Sequence, residues 1–258
     1  LNPAAYPPFA LAFGIAGMVV IVICARGTQS QIPYLHPVGT GARITDVRAY
    51  LAQLKGMLSN PSFLAFFLVS VMFFIILGTQ RTLALHMNTY FWELSTKNIQ
   101  FMLYALFGGT VLCIPFAKYI IDRLDKKRSM YVGLILLLAA FVLPTSLRLL
   151  GLFPENSSPL CLPFLLAAQF FAGICVGLLV VTTGAIVADI ADDHEWRTGK
   201  RQEGALFGFF NFANKATSGV GHLVAGVALS LISFPTGRTV RPGEVAQDVL
   251  NHLGWVYG

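Results

Sequence analysis

The sequence predicts an all-α integral membrane protein, a bundle of apolar helices, and three observations predict it. Hydrophobic residues make up 55% of the 258 and charged residues 12%, with a mean hydropathy of +0.68, outside the balance of a soluble domain. The chain offers six apolar runs, each long enough to cross a hydrocarbon core about 30 Å thick, which takes roughly 20 residues of helix. Those runs are continuous, without the strict apolar–polar alternation of a membrane β-barrel.

In chain order the spacing predicts spans near Tyr6 to Cys24, Phe63 to Thr82, Ile99 to Phe116, Met130 to Leu147, Cys161 to Ala188 and Ala205 to Phe234. The first follows from the run between Tyr6 and Cys24. The chain has no initiator Met and begins inside a spanning pattern, so it reads as part of a longer protein. Residues 26–62 read as a long cytoplasmic link. Its start is kept irregular by Pro33, Pro37, Gly39 and Gly41. Its second part, Asp46 to Asn60, carries Val47, Leu51, Leu54 and Leu58 on one face of an interfacial helix. Asn60 and Pro61 punctuate the second span. Residues 63–234 then hold five spans, and 235–258 form a polar, turn-rich tail outside the membrane.

Lys and Arg fix the orientation. Twelve lie in the first, third and fifth connections and five in the alternate ones, which places the former in the cytoplasm. That bias accounts for the net charge of +6 without a nucleic-acid partner. Trp92, beside Tyr90 and Phe91, reads as an anchor at the outer headgroup boundary. Asn156, Ser157 and Ser158 form a glycosylation sequon on the same side. Cys24, Cys113, Cys161 and Cys175 lie in or beside apolar runs and read as packing residues, with no metal-ligand spacing.

The fifth connection, from Asp189 to Glu203, is the most charged stretch and separates two long uncharged ones. Lys215 then stands as the only formal charge until Arg238. A Lys in mid-membrane costs on the order of 3 kcal/mol on insertion scales, so such groups face a cavity or a partner. Asn211, Lys215, Ser218 and His222 recur at offsets of four, three and four, which lines them up on one helix face. We read this stripe as the wall of a solute pathway; the alternative is a structural salt bridge to an acid on another helix. Gln169 and Thr183, fourteen residues apart, share a face of the preceding helix and supply further hydrogen-bonding groups.

Gly173, Gly177 and Gly184, with Gly219, Ala225 and Gly226, read as sites of close helix approach. Asp192, Asp193, His194 and Glu195 could ligate a metal, but Arg197, Lys200 and Arg201 beside them favour an ion-pair network, and no metal is expected. No HExxH, GxSxG or paired Cys-His arrangement is present, so no enzyme is expected.

The run Asp189, Asp192, Glu195, Arg201, Glu203 and Lys215 resembles, at matching spacing, the signature of the glycoside-pentoside-hexuronide cation symporters, the melibiose-permease-like family of the major facilitator superfamily. Asp122, Arg123, Lys127 and Arg128 are similar to that superfamily's G-x-x-x-D-R-x-x-x-K-R loop, with Ala or Lys where Gly is expected. The resemblance covers essentially the whole chain. It implies a major facilitator-type bundle, mostly its C-terminal half: residues 1–25 as helix six, 63–234 as helices seven to eleven, and a last helix beyond the tail.

It further implies a secondary active transporter. A sodium ion or proton is the expected coupling cation, with ligands mainly in the first half of the bundle, and no other cofactor is implied. The implied substrate is a sugar or glycoside, carried across the plasma (inner) membrane of a bacterium. Lys215 matches the lysine beside the sugar and cation sites, and Asn211 a polar position one turn earlier. Asp189, Asp192, Arg201 and Glu203 match residues that tie the two halves together in the cytoplasm; with Glu195, Asp122, Arg123, Lys127 and Arg128 they form the expected gate.

Two departures bear on substrate. Asp193 and His194 replace a Tyr-Gly pair, and Val180 stands where relatives carry a Trp that contacts sugar. Val lacks the aromatic face that stacks on a sugar ring, which weakens the expectation of a galactoside. Lysophospholipid symporters share the scaffold, so an amphiphile is the alternative substrate, and a non-transporting membrane sensor a third reading.

Overall fold

The computed structural model describes residues 4, 6–34, 55–199, 203–235, 243 and 245–257. It divides into two units, Leu1–Leu51 and Ala52–Gly258. The first contains helix α1, Tyr6–Gln29, which opens on Pro7 and Pro8, where a missing N–H costs nothing. Thr28 closes it by donating its hydroxyl to the Cys24 carbonyl at 2.9 Å, and a 3₁₀ turn follows over Ile32–Tyr34. The expected interfacial helix from Asp46 lies outside the described residues up to position 54; residues 55–58 are helical.

The second unit contains α2 (Pro61–His86), a π-helical turn (Met87–Phe91), α3 (Thr96–Leu124), α4 (Lys126–Leu149), α5 (Cys161–Thr198), α6 (Glu203–Leu231) and α7 (Gln247–Tyr257). Asn60 caps α2, its Oδ1 accepting from the amides of Ser62 and Phe63 at 2.9 and 3.3 Å. Five helices are long and apolar enough to cross a membrane: α1, α2 with its π turn, α3, α4 and α5. The sixth predicted span is also a helix, α6, of 29 residues. It falls outside those five because Asn211, Asn214, Lys215, Ser218 and His222 interrupt its apolar run.

Two helix pairs hold this unit together: α3 packs along α5 and α2 along α6, with α4 on the other flank of α5. The seams are backbone against backbone. A Cβ on Gly173 would collide with the Leu106 carbonyl, and one on Gly109 with that of Phe170. On the other pair, a Cβ on Gly221 would stand 2.7 Å from the Ile75 carbonyl oxygen. A threonine stitches each seam. Thr110 donates to the Gly173 carbonyl (3.0 Å) or to its own Leu106 (2.9 Å), and Thr79 to the Gly221 carbonyl (3.1 Å) or to Ile75 (2.9 Å). Helix association in a bilayer gains little from hydrophobicity, because lipid tails are as apolar as leucine; small residues and interhelical hydrogen bonds supply it instead.

Apolar clusters join the pairs at both ends. At the end where α4 begins, Met57, Phe63, Ile190, Ala191 and Leu206 pack together. At the opposite end Leu83, Met87, Phe91, Trp92, Leu165, Ala225 and the α7 residues Leu250 and Leu253 form the largest core. Between them α5 and α6 touch little.

Several expectations are corrected. The charged stretch expected as a loop is largely helical: α5 runs through it to Thr198, with neither Gly nor Pro between Ala188 and Gly199. Gly199, at φ +66°, forms the left-handed cap. At 1.5 Å per residue its 38 residues extend about 57 Å, well beyond the bilayer core. The third connection shrinks to Asp125, at φ 68°. Trp92 is no headgroup anchor; it is 4% exposed and packs against Phe91 and Phe153, since the π turn folds it inward. Part of the tail is helical, as α7. A Cβ on Gly184, Gly219 or Gly226 would meet no neighbouring helix within 4 Å, so among the described residues the predicted close approaches that are packed are Gly173, Gly177 and the buried Ala225. Asn156 donates its amide nitrogen, the atom a glycan would occupy, to the Phe91 carbonyl at 2.9 Å.

The seams predict unequal costs. Gly173→Val should lower the apparent Tm of the detergent-solubilised protein by several degrees, corresponding to the 1–3 kcal/mol typical of overpacking. Gly184→Ala, with open space around it, should leave Tm unchanged; a thermal-unfolding series compares the two.

Candidate functional site

The polar stripe lies on α6, beside the face formed by Leu206, Ala213, Gly221 and Ala225. Asn211, Lys215 and His222 are exposed, and Ser218 is partly buried. The three hydrogen-bonding side chains fold back on their own helix. Asn211 donates to the Phe207 carbonyl at 2.9 Å, Ser218 donates to that of Lys215 at 2.9 Å, and His222 Nδ1 lies 2.6 Å from the Ser218 carbonyl. Lys215 makes no ion pair among the described residues. The structural salt bridge considered above is therefore not found among the described residues. Gln169 and Thr183 lie on α5, both partly buried, and Val180 is 62% exposed on the same helix. No contact joins Gln169 or Thr183 to the α6 stripe among the described hydrogen bonds.

A second constellation sits where α2 and α4 begin and α5 projects beyond its apolar span. Lys126 Nζ lies 2.6 Å from Asp189 Oδ1 and 2.7 Å from Oδ2. One α-helical turn on, Asp193 accepts from Arg197 Nε at 3.0 Å and from Asn60 Nδ2 at 2.9 Å. The Asn60 amide and the Arg197 guanidinium hold the Asp193 carboxyl below the ordinary carboxylate range. Asn60 thus caps α2 with its oxygen and ties α2 to α5 with its nitrogen. His194 is buried, at 4% exposure, between these groups in sequence.

Of the expected gate, Asp189 is paired and Asp192 is exposed. Arg123 lies over the Tyr119 ring at 4.3 Å. Glu195 and Glu203 are both engaged, and Asp122, Lys127 and Arg128 remain on the α3–α4 corner. Arg201 lies outside the described residues. The structure adds Lys126, Asp193 and Asn60, which the resemblance did not mark. Asp193–Arg197 was legible as an i, i+4 pair; the long-range contacts of Lys126 and Asn60 had no local signal. Among the described residues, no three His, Cys, Asp or Glu side chains converge as metal ligands.

The arrangement is a membrane bundle with, on one helix face, a cation that has no ion pair among the described residues, and a polar joint at one end. The family model described as MFS/sugar transport protein matches residues 2–257. The chain belongs to that family. It is accordingly an integral membrane protein with a major facilitator-type helical fold.

The chain is similar to the uncharacterised symporter YjmB of Bacillus subtilis, 24% identical over 241 residues, covering 90% of this chain and 47% of the relative. It is similar also to a putative sulfoquinovose importer of Escherichia coli, 22% identical over 230 residues, 89% of this chain and 45% of the relative. A sodium-dependent lysophosphatidylcholine symporter of Gallus gallus is 26% identical over 151 residues, 58% of this chain and 26% of the relative. These names describe transporters, not enzymes. The chain spans about half the length, or less, of the curated relatives it matches. No solved structure matches it.

The Asn60 bridge separates two contributions. Asn60→Ser keeps a capping oxygen but loses the bond to Asp193, whereas Asn60→Ala loses both. Caps contribute about 1 kcal/mol. Asn60→Ala should therefore lower the unfolding midpoint more than Asn60→Ser, with Asn60→Ser below the parent, in a denaturant titration in micelles.

Proposed function

We propose that the full-length protein is a secondary active symporter. It would couple a sodium or proton gradient to the uptake of a sugar or glycoside by alternating access of two helical halves about a midplane site. The observation that carries this reading is Lys215: a charged group on a membrane helix, exposed on its unit's surface and without an ion pair among the described residues. A solute passage, with the facing half of the transporter across it, supplies the water and polar partners that make such a charge tolerable. There the ammonium donates to solute hydroxyls or compensates an acid of the cation site, with Asn211, Ser218, His222, Thr183 and Gln169 as further hydrogen-bonding groups. The coupling cation's own ligands belong mainly to the other half.

The charged end of α5 serves as the cytoplasmic gate. Asp189, Asp192, Glu195, Arg201 and Glu203, with Asp122, Arg123, Lys127 and Arg128, are its members, and Lys126 and Asp193 join them. Ion pairs across the two halves would hold one state closed on the inside and release it in the other. The two bacterial relatives support placement in a plasma (inner) membrane.

A second substrate class has its own support. Val180 presents an exposed apolar side chain where a sugar-stacking ring is expected, and one relative is named for lysophosphatidylcholine. On that reading the same passage carries an amphiphile.

Reconstituted full-length protein should accumulate one class from a panel of sugars, glucuronides and lysophosphatidylcholine when a sodium or proton gradient is imposed. Lys215→Ala should reduce that uptake at least tenfold at equal protein insertion. Undiminished, gradient-dependent uptake by this variant would return Lys215 to a structural role and remove the site; no uptake of any class by the parent would favour the sensor.

A further inference from the structure

A cavity of about 260 Å³ opens at the end of the bundle opposite the Lys126–Asp189 pair, away from the α6 stripe. Its walls come from three places: Phe91 at the end of the π turn and Glu93 after it, Arg148 and Asn156 at and beyond the end of α4, and Gln247 and Asn251 on α7. Three features set it apart from an ordinary surface dent. Glu93 and Arg148 carry opposite charges into one cavity yet form no ion pair with each other. Asn156 spends its amide nitrogen on the Phe91 carbonyl, which fixes the orientation of the side chain and leaves Oδ1 buried without a partner among the described residues. Glu93 adopts φ 51°, a conformation that non-glycine residues rarely hold and that concentrates at binding sites.

The chemistry of the lining narrows the occupant. A bare metal ion would meet Arg148, and a simple anion would meet Glu93. Three carboxamides, one guanidinium and one carboxylate offer donors and acceptors together, which matches a solute whose every hydroxyl both donates and accepts. A donor reaching Asn156 Oδ1 would repay a desolvation cost that an unmet buried acceptor otherwise leaves standing. The volume lies below the roughly 300–1,000 Å³ of drug-sized sites and suits a single sugar ring.

We propose that this cavity is a second binding site, on the outer face, for a monosaccharide-sized polyol. The inference stands on the cavity alone and does not depend on the transport reading. Positive-inside orientation places it extracytoplasmically, where its walls clamp α7 against the end of α4 and the π turn.

The test uses the full-length protein in intact cells, with Gln247→Cys introduced as an exposed lining position and a membrane-impermeant maleimide added outside. Millimolar D-glucose or D-xylose should slow labelling of Cys at 247 severalfold relative to the parent's background, whereas glycine and sodium chloride should not. Adding Arg148→Met, which keeps the bulk and removes the charge, or Asn156→Leu should abolish the protection while labelling itself persists. That persistence shows the variants are inserted. Adding Lys215→Ala should leave protection intact even if uptake is lost. Protection by glycine alone would mean a zwitterion site and would overturn the proposal. So would no protection by either sugar, protection that survives both lining substitutions, or protection that disappears with Lys215.

Discussion

The close approach of helix backbones at Gly173 and Gly221 is the constraint on which the rest of this unit depends. In hydrocarbon, backbone groups must be satisfied within each helix, so helices can associate only through side chains and through the little surface left where side chains are absent. At both seams a glycine removes the Cβ that would strike the partner's carbonyl, and a threonine, Thr110 or Thr79, uses that proximity to donate across the gap. The same device appears on both pairs, α3 with α5 and α2 with α6. It seals each pair and leaves α5 and α6 themselves, among the described residues, in little contact beyond the apolar clusters at the bundle's ends. The polar stripe of α6 is therefore displayed on the surface of a sealed pair rather than consumed in holding it together.

At the projecting end of α5 the forces are of another kind. The Lys126–Asp189 pair is exposed, 37% and 54% by side chain, and ion pairs in such settings contribute roughly 0–1 kcal/mol. An interaction that weak is a poor clamp; as part of the proposed gate it would bias a two-state element without locking it. The apolar cluster beneath it, from Met57 to Leu206, carries the packing at this end. Asn60 is the link between the two layers, because one side chain both terminates α2 and contacts Asp193.

The fold was largely legible in the sequence because spanning a membrane demands long apolar runs, and five of the six predicted ones became apolar helices of spanning length. The boundaries were less legible. Hydropathy falls at Ala188, but helix formation does not require hydropathy, and the acidic and basic residues that follow continue α5 to the first glycine. Trp92 fell on the wrong side because aromatic residues suit both a headgroup boundary and a core, and only the π turn decides between them. Gly221 was missed and Gly219 chosen, two residues and some 200° of helix away, since small-residue spacing does not reveal which face meets a neighbour. The polar stripe of α6 was legible as a periodicity. Its surroundings were not, nor were Lys126 and Asn60 as partners of α5, because such contacts join residues 63 and 133 positions apart.

The position of Lys215 along α6 separates a passage from the simpler alternative of a lysine that escapes the membrane by reaching its surface. Twelve residues precede it in the helix from Glu203 and sixteen follow to Leu231, about 18 and 24 Å of helix at 1.5 Å per residue. Snorkelling relieves lysines near helix ends, where a flexible stem of four carbons can bring the ammonium to the interface. Lys215 is near the middle, and its stem is far shorter than either distance. The glycines around it, Gly219 and Gly208, are open on their own helix and fill no gap against α2. A charge so placed, without an ion pair among the described residues, requires polar surroundings supplied from across α6's exposed face, and the proposed water-accessible path between two such bundles would supply them.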